Sequence, residues 1–179
     1  MRLRHLVVLL AFVVFIPAFI ALGGTATHLN QSPDDHVVLE VYGTGEGGCE
    51  WPDGYMEFRR NLPDGTAEPG PFRVPEGKLL VITDLDWQFR SQNGSADEGR
   101  MAILTLVVEN IEDGSDRRHV DSTITLSSQG EGGISESMAT GIVVSSEARI
   151  CPDISPLHRY VQHIILRGYF IDDKRKAAK

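Results

Sequence analysis

The segment 78-KLLVITDLDWQFR-90 decides the fold. Leu79, Val81, Thr83, Leu85, Trp87 and Phe89 recur at every second position, the period of a strand with one buried face. On that spacing Asp84, Asp86 and Gln88 share the opposite, wet face, with Leu80 and Ile82 on the same side nearer the strand's start. The Pro75 and Gly77 turn before it launches the strand, and 63-PDGTAEPGPFRVPEGK-78 reads as a chain of turns.

The same two-residue rhythm runs through the rest of the chain. His36–Gly43 places Val37, Leu39 and Val41 on one face, and Tyr55–Arg60 is a short edge segment. Arg100–Asn110 is apolar on both faces, which predicts a central strand. Arg117–Ser127 points Val120, Ser122, Ile124 and Leu126 inward. Ala139–Ser146 and Tyr160–Asp172 complete the set. Gly43–Gly48 and Gly130–Gly133 are flexible loops by composition, Gly132–Ser137 reads as a polar loop, and Pro152–His158 has room for a turn of helix. These elements predict an all-β fold: an antiparallel β-sandwich, jelly-roll-like, after an N-terminal signal helix.

Domain organisation follows from composition. Arg2 and Arg4, the uncharged run Leu6–Leu22 and the small residues 23-GGTA-26 have the layout of a secretory signal peptide over residues 1–26, with an uncleaved anchor as the alternative. Residues 27–35 form a flexible segment, 36–172 a single sandwich domain and 173–179 a basic tail. The whole chain of 179 residues carries a formal charge of −8. That charge disfavours nucleic acid as a partner, and a membrane is expected only if the N-terminal segment stays attached. Cys49 and Cys151 are the only two cysteines, and in an oxidising compartment they predict one disulfide. Closing a loop of that length stabilises by roughly 4.7 kcal/mol in the chain-entropy description. The expected location is therefore secreted or periplasmic.

Asp84 and Asp86 are the candidate site, because two carboxylates on one strand face lie close enough to cooperate. A jelly-roll glycosidase family that includes the laminarinases carries Glu-x-Asp-x-x-Glu on one strand. The stretch 83-TDLDWQF-89 is similar in its acid-x-acid spacing but has Asp84 in the first position and no third carboxylate. Asp84 and Asp86 are also calcium candidates, with Glu112–Asp116 as a further source of oxygens, although EF-hand spacing is missing. Trp51 and Tyr55 form a second candidate ligand site, as rings for a sugar face; Trp51 is better suited to packing over the disulfide, since large aromatics are mostly buried. His119 and His163 meet only if their strands pair. HxH, HExxH, GxSxG and phosphate-loop patterns do not occur.

The segment Val74–Trp87 resembles one found in uncharacterised secreted bacterial β-sandwich proteins. The resemblance covers that stretch alone and implies an exported sandwich without implying an activity. Together these readings predict an exported, disulfide-stabilised, non-catalytic module with a carbohydrate or protein ligand and no cofactor. The alternatives are a small carbohydrate-active enzyme or calcium-dependent sugar-binding module using Asp84 and Asp86, and a subunit of a surface assembly joined through an edge strand.

Overall fold

A computed structural model describes residues 32, 35–42, 49, 56–115, 118–155 and 161–175. Among the described residues there are eight strands: β1 (His36–Tyr42), β2 (Glu57–Asn61), β3 (Lys78–Arg90), β4 (Met101–Asn110), β5 (Arg118–Thr125), β6 (Glu131–Ser145), β7 (Ala148–Ser155) and β8 (Val161–Asp172). A 3-10 turn at Gly94–Asp97 lies between β3 and β4. One antiparallel sheet has the order β2-β1-β8-β3-β6, and the other β5-β4-β7. Their inner faces feed one apolar cluster: Val37, Leu39 and Leu166 come from the first sheet, and Leu104, Leu106 and Ile154 from the second. The result is the sandwich-like, all-β architecture that the two-residue period implies.

Several local expectations hold because alternation is clean. Val37 and Leu39 of β1 are buried. Ser122, Ile124 and Leu126 are buried, with Val120 packed against the same core. β4 is the central strand of its sheet, as its apolarity on both faces predicts. β2 is the short edge strand expected near Tyr55–Arg60.

β3 departs from simple alternation, and the departure sets the character of the outer face. Its register against both β6 and β8 shifts between Ile82 and Asp84. Thr83 is an extra residue against β8, while on β6 residues 138–141 stand opposite it, and the parity of β3 reverses beyond this point. Leu80 and Ile82 therefore point into the core together with Leu85, Trp87 and Phe89, all at most 1% exposed. This corrects the expectation that Leu80 and Ile82 share a face with the aspartates. Leu79 and Val81 hold the outer side instead. The neighbouring strands accommodate the bulge through glycine. A Cβ at Gly168 would overlap the Val81 carbonyl oxygen, and one at Gly141 would stand 2.7 Å from Val81 Cγ1.

Two further expectations are corrected. Gly130–Gly133 and Gly132–Ser137 are not loops from Glu131 onward; they open β6, which pairs with β3 from Arg90↔Glu131 to Asp84↔Ser137. Their serines face outward, while Ile134 and Met138 pack on the core. Pro152–Ser155 is strand rather than helical turn, and belongs to β7. Proline is tolerated there because β7 is an edge strand and its missing N–H breaks no central ladder.

Cys49 and Cys151 form the expected disulfide, with Cα atoms 5.3 Å apart and a sequence separation of 102. Cys151 sits on β7 itself, not in a turn before the last strand. With Val107 the two cysteines make a second small apolar cluster. Beside it, Glu109 of β4 is fully buried and takes a hydrogen bond of 2.7 Å from Arg149 Nε of β7, the residue opposite it in register. The basic tail starts from an anchored position: Asp173 is buried, donates its backbone N–H to Gly77 O and holds the Arg175 guanidinium at 2.9 Å. Residues 1–31 lie outside the described residues, so the signal helix is not addressed by the fold. Among the described residues no helix is long and apolar enough to cross a membrane.

The reversed parity has a direct test. Ile82→Ala is expected to lower unfolding free energy by about 2–5 kcal/mol, and Leu79→Ala by less than about 1 kcal/mol. Urea denaturation of the two variants measures both; the opposite ranking would mean that β3 alternates without a bulge.

Candidate functional site

The outer face of the five-stranded sheet collects the polar side chains. It is organised in rows that cross the strands. Asp84 lies opposite Ser137 of β6 and Arg167 of β8, and Arg167 lies opposite Val38 of β1. Asp86 lies opposite Ser135 and Ile165, and Ile165 opposite Glu40, itself opposite Arg59 of β2. Gln88 lies opposite Gly133 and His163. Nonlocal pairing of β3 with β8 brings His163 to the aspartates; its Nε2 stands 3.3 Å from Asp86 Oδ1, a diagonal cross-strand contact.

Asp84 and Asp86 are thus on one face, as their spacing predicts, but their surroundings differ. Ser137 Oγ donates to Asp84 Oδ1 at 2.7 Å, and Thr83 Oγ1 donates to Oδ2 at 2.7 Å. These bonds, Ser137 first, hold the Asp84 carboxyl below the usual carboxylate range, and the positive charge of Arg167 adds to them. An acid catalyst needs the opposite shift, so Asp84 is built as a charged acceptor rather than a proton donor. Asp86 is 27% exposed and His163 28% exposed, which leaves lone pairs of the carboxylate facing solvent.

A shallow trough of about 490 Å³ lies over this end of the sheet. Asp86, Gln88, Gly133, Ser135 and Glu131 line it. Arg90 Nε neutralises Glu131 at 3.1 Å along one margin. Across the sheet, Asn61 Nδ2 donates to Glu40 Oε2 at 2.8 Å, and the Arg59 guanidinium stacks over the Tyr42 ring, 5.1 Å from its centroid. Past the bulge the same face turns apolar, with Val81 paired to Val143 and Tyr169, and Leu79 to Ile171. Val143 and Ile171 are exposed large hydrophobic residues.

Other candidates resolve as follows. Trp51 and Tyr55 lie outside the described residues. Glu112 and Asp113 belong to the turn after β4, in the other sheet, and not beside Asp84 and Asp86. Among the described residues no group of three or more His, Cys, Asp or Glu side chains is placed to hold a metal ion. His119 and His163 sit on strands of different sheets and do not meet. A second cavity of about 260 Å³ lies between β2 and β7, against the disulfide, and is lined by Met56, Phe58, Phe72 and Ile150. Sequence spacing missed His163, Ser137 and Gly133, because each joins the site through strand pairing, whereas spacing alone places Gln88 beside the aspartates. No protein-family model, curated protein or solved structure matches the chain.

The hydrogen bonds on Asp84 make a pH prediction. Its folded-state value is depressed, so its contribution to stability is present above the ordinary value of 3.8 and is lost as pH falls through the lower folded value. In Ser137→Ala the Asp84 titration is expected to move up toward 3.8, with a matching loss of stability above that pH. Carboxyl-detected NMR titration reads this; a wild-type Asp84 titrating at or above its ordinary value would contradict it.

Proposed function

We propose that the chain is an exported, disulfide-stapled, non-catalytic binding module that uses the polar end of the five-stranded sheet's outer face. The observation that carries this reading is the cross-strand lattice around Asp84 and Asp86. It is open and hydrogen-bonded, its first carboxyl is held in the charged form, and a trough adjoins it at Asp86. A few precisely placed polar side chains around a depression fix a ligand's orientation without moving protons.

Export is supported by Arg2, Arg4 and the apolar run Leu6–Leu22, and by a disulfide of the kind that persists in oxidising compartments. A jelly-roll topology is supported by the pairings β1–β8, β3–β6 and β4–β5, which are three of the four rungs of an eight-stranded ribbon rolled on itself. The fourth rung, β2 with β7, has no ladder in the sheet order. The bond between Cys49, ahead of β2, and Cys151, on β7, ties that position covalently. The assembly-subunit reading retains one supporting feature: β6 is a fifteen-residue edge strand, in which the Arg118 guanidinium donates to a single carbonyl, Val143 O, at 2.7 Å.

Expression of the full chain in a bacterial host, followed by fractionation and intact-mass measurement, tests the reading. The expected product is extracytoplasmic, oxidised at Cys49–Cys151 and shortened at its N-terminus. Incubated with polysaccharides it is expected to release no reducing ends. Release that disappears in Asp84→Asn and Asp86→Asn would replace the binding module with an enzyme.

A further inference from the structure

We infer that the trough between β3 and β6 is a subsite for a neutral saccharide. This rests on the reading that the outer face is the binding face, and it adds the class of ligand. The trough presents acceptors in Asp86 and Glu131, and groups that both donate and accept in the Gln88 amide and the Ser135 hydroxyl. A ligand that satisfies them must itself donate and accept at closely spaced positions, which is the chemistry of vicinal hydroxyls. Charge argues for neutrality. An anion meets two carboxylates in a chain of formal charge −8. A cation gains little, because Arg90 already neutralises Glu131 and His163 shares Asp86.

Shape agrees with a ring lying across the strands. Gly133 stands opposite Gln88, so the floor of the trough there is backbone, and a Cβ at that position would come within 2.9 Å of Gln88 Cγ. The absence of a side chain at Gly133 is what makes the depression. Phe89 lines the trough but is only 1% exposed and turned into the core, so it offers no stacking platform. Affinity then depends on hydrogen bonds with the half-buried Asp86 and the exposed Gln88, and a Kd of about 1 mM for a short oligosaccharide is the scale to expect.

The test is a titration of the isotope-labelled exported chain, followed by backbone NMR, with laminarihexaose, cellohexaose and maltohexaose. A sulfated oligosaccharide and an unstructured basic peptide serve as comparison ligands. At least one neutral hexasaccharide is expected to shift Asp86, Gln88, Gly133, Ser135 and His163. Asp86→Ala and Gln88→Ala are each expected to weaken it about tenfold. His119→Ala, on the other sheet, leaves it unchanged. If only a charged ligand shifts these residues, the saccharide assignment falls and the binding face stands. If no ligand shifts them, both fall.

Discussion

A buried hydrogen bond links the two sheets across the core and fixes how they face each other. The indole Nε1 of Trp87, on β3, donates to Ser122 Oγ, on β5, at 2.8 Å. Trp87 is fully buried and Ser122 is 2% exposed. A buried indole N–H without a partner costs roughly 1–3 kcal/mol, and a buried hydroxyl costs a comparable amount. Neither residue is acceptable in the core without the other. The pair therefore specifies which face of β3 turns inward and where β5 lies across from it. The apolar side chains packed around the pair tolerate sliding far more readily.

The bulge at Thr83 is the second half of that constraint. Trp87 inward requires Leu85 and Phe89 inward and Asp84, Asp86 and Gln88 outward. Without an added residue, the same parity would expose Leu80 and Ile82 and bury Leu79. The bulge lets both halves of β3 bury their bulkiest apolar side chains, and it divides the outer face at the same point. On one side lie Leu79 and Val81 with Val143 and Ile171; on the other lies the lattice of carboxylates, amide, imidazole and hydroxyls. The polar end thus owes its composition to a packing solution in the core, and Gly141 and Gly168 make that solution sterically possible.

This division explains what was legible in the sequence. β1, β4 and β5 could be read directly, because each alternates or saturates with apolar residues in a way that nearest neighbours dictate. The Cys49–Cys151 bond followed from counting. The bulge was not legible within 78-KLLVITDLDWQFR-90, because alternation there fits either parity; the signals lie in Gly141 and Gly168, on strands whose pairing is nonlocal. The first half of β6 was hidden for a related reason. Its inward residues, Ile134 and Met138, are sparse, and its glycines and serines resemble a loop until β3 is placed beside them. β7 was hidden by Pro152, which only an edge position allows. Within the site, the shared face of Asp84 and Asp86 was readable from spacing. Their contrasting environments were not, since Ser137 and His163 arrive from strands distant in sequence.

Hydrogen exchange at the Trp87 indole tests the central claim most directly. With Trp51→Phe removing the other indole signal, the Trp87 Nε1–H resonance is expected to persist in D2O and to exchange only through global unfolding, with protection that falls in Ser122→Ala. An indole proton that exchanges within minutes under native conditions would place Trp87 in solvent and contradict the inward parity of β3 on which the sandwich and its polar face both depend.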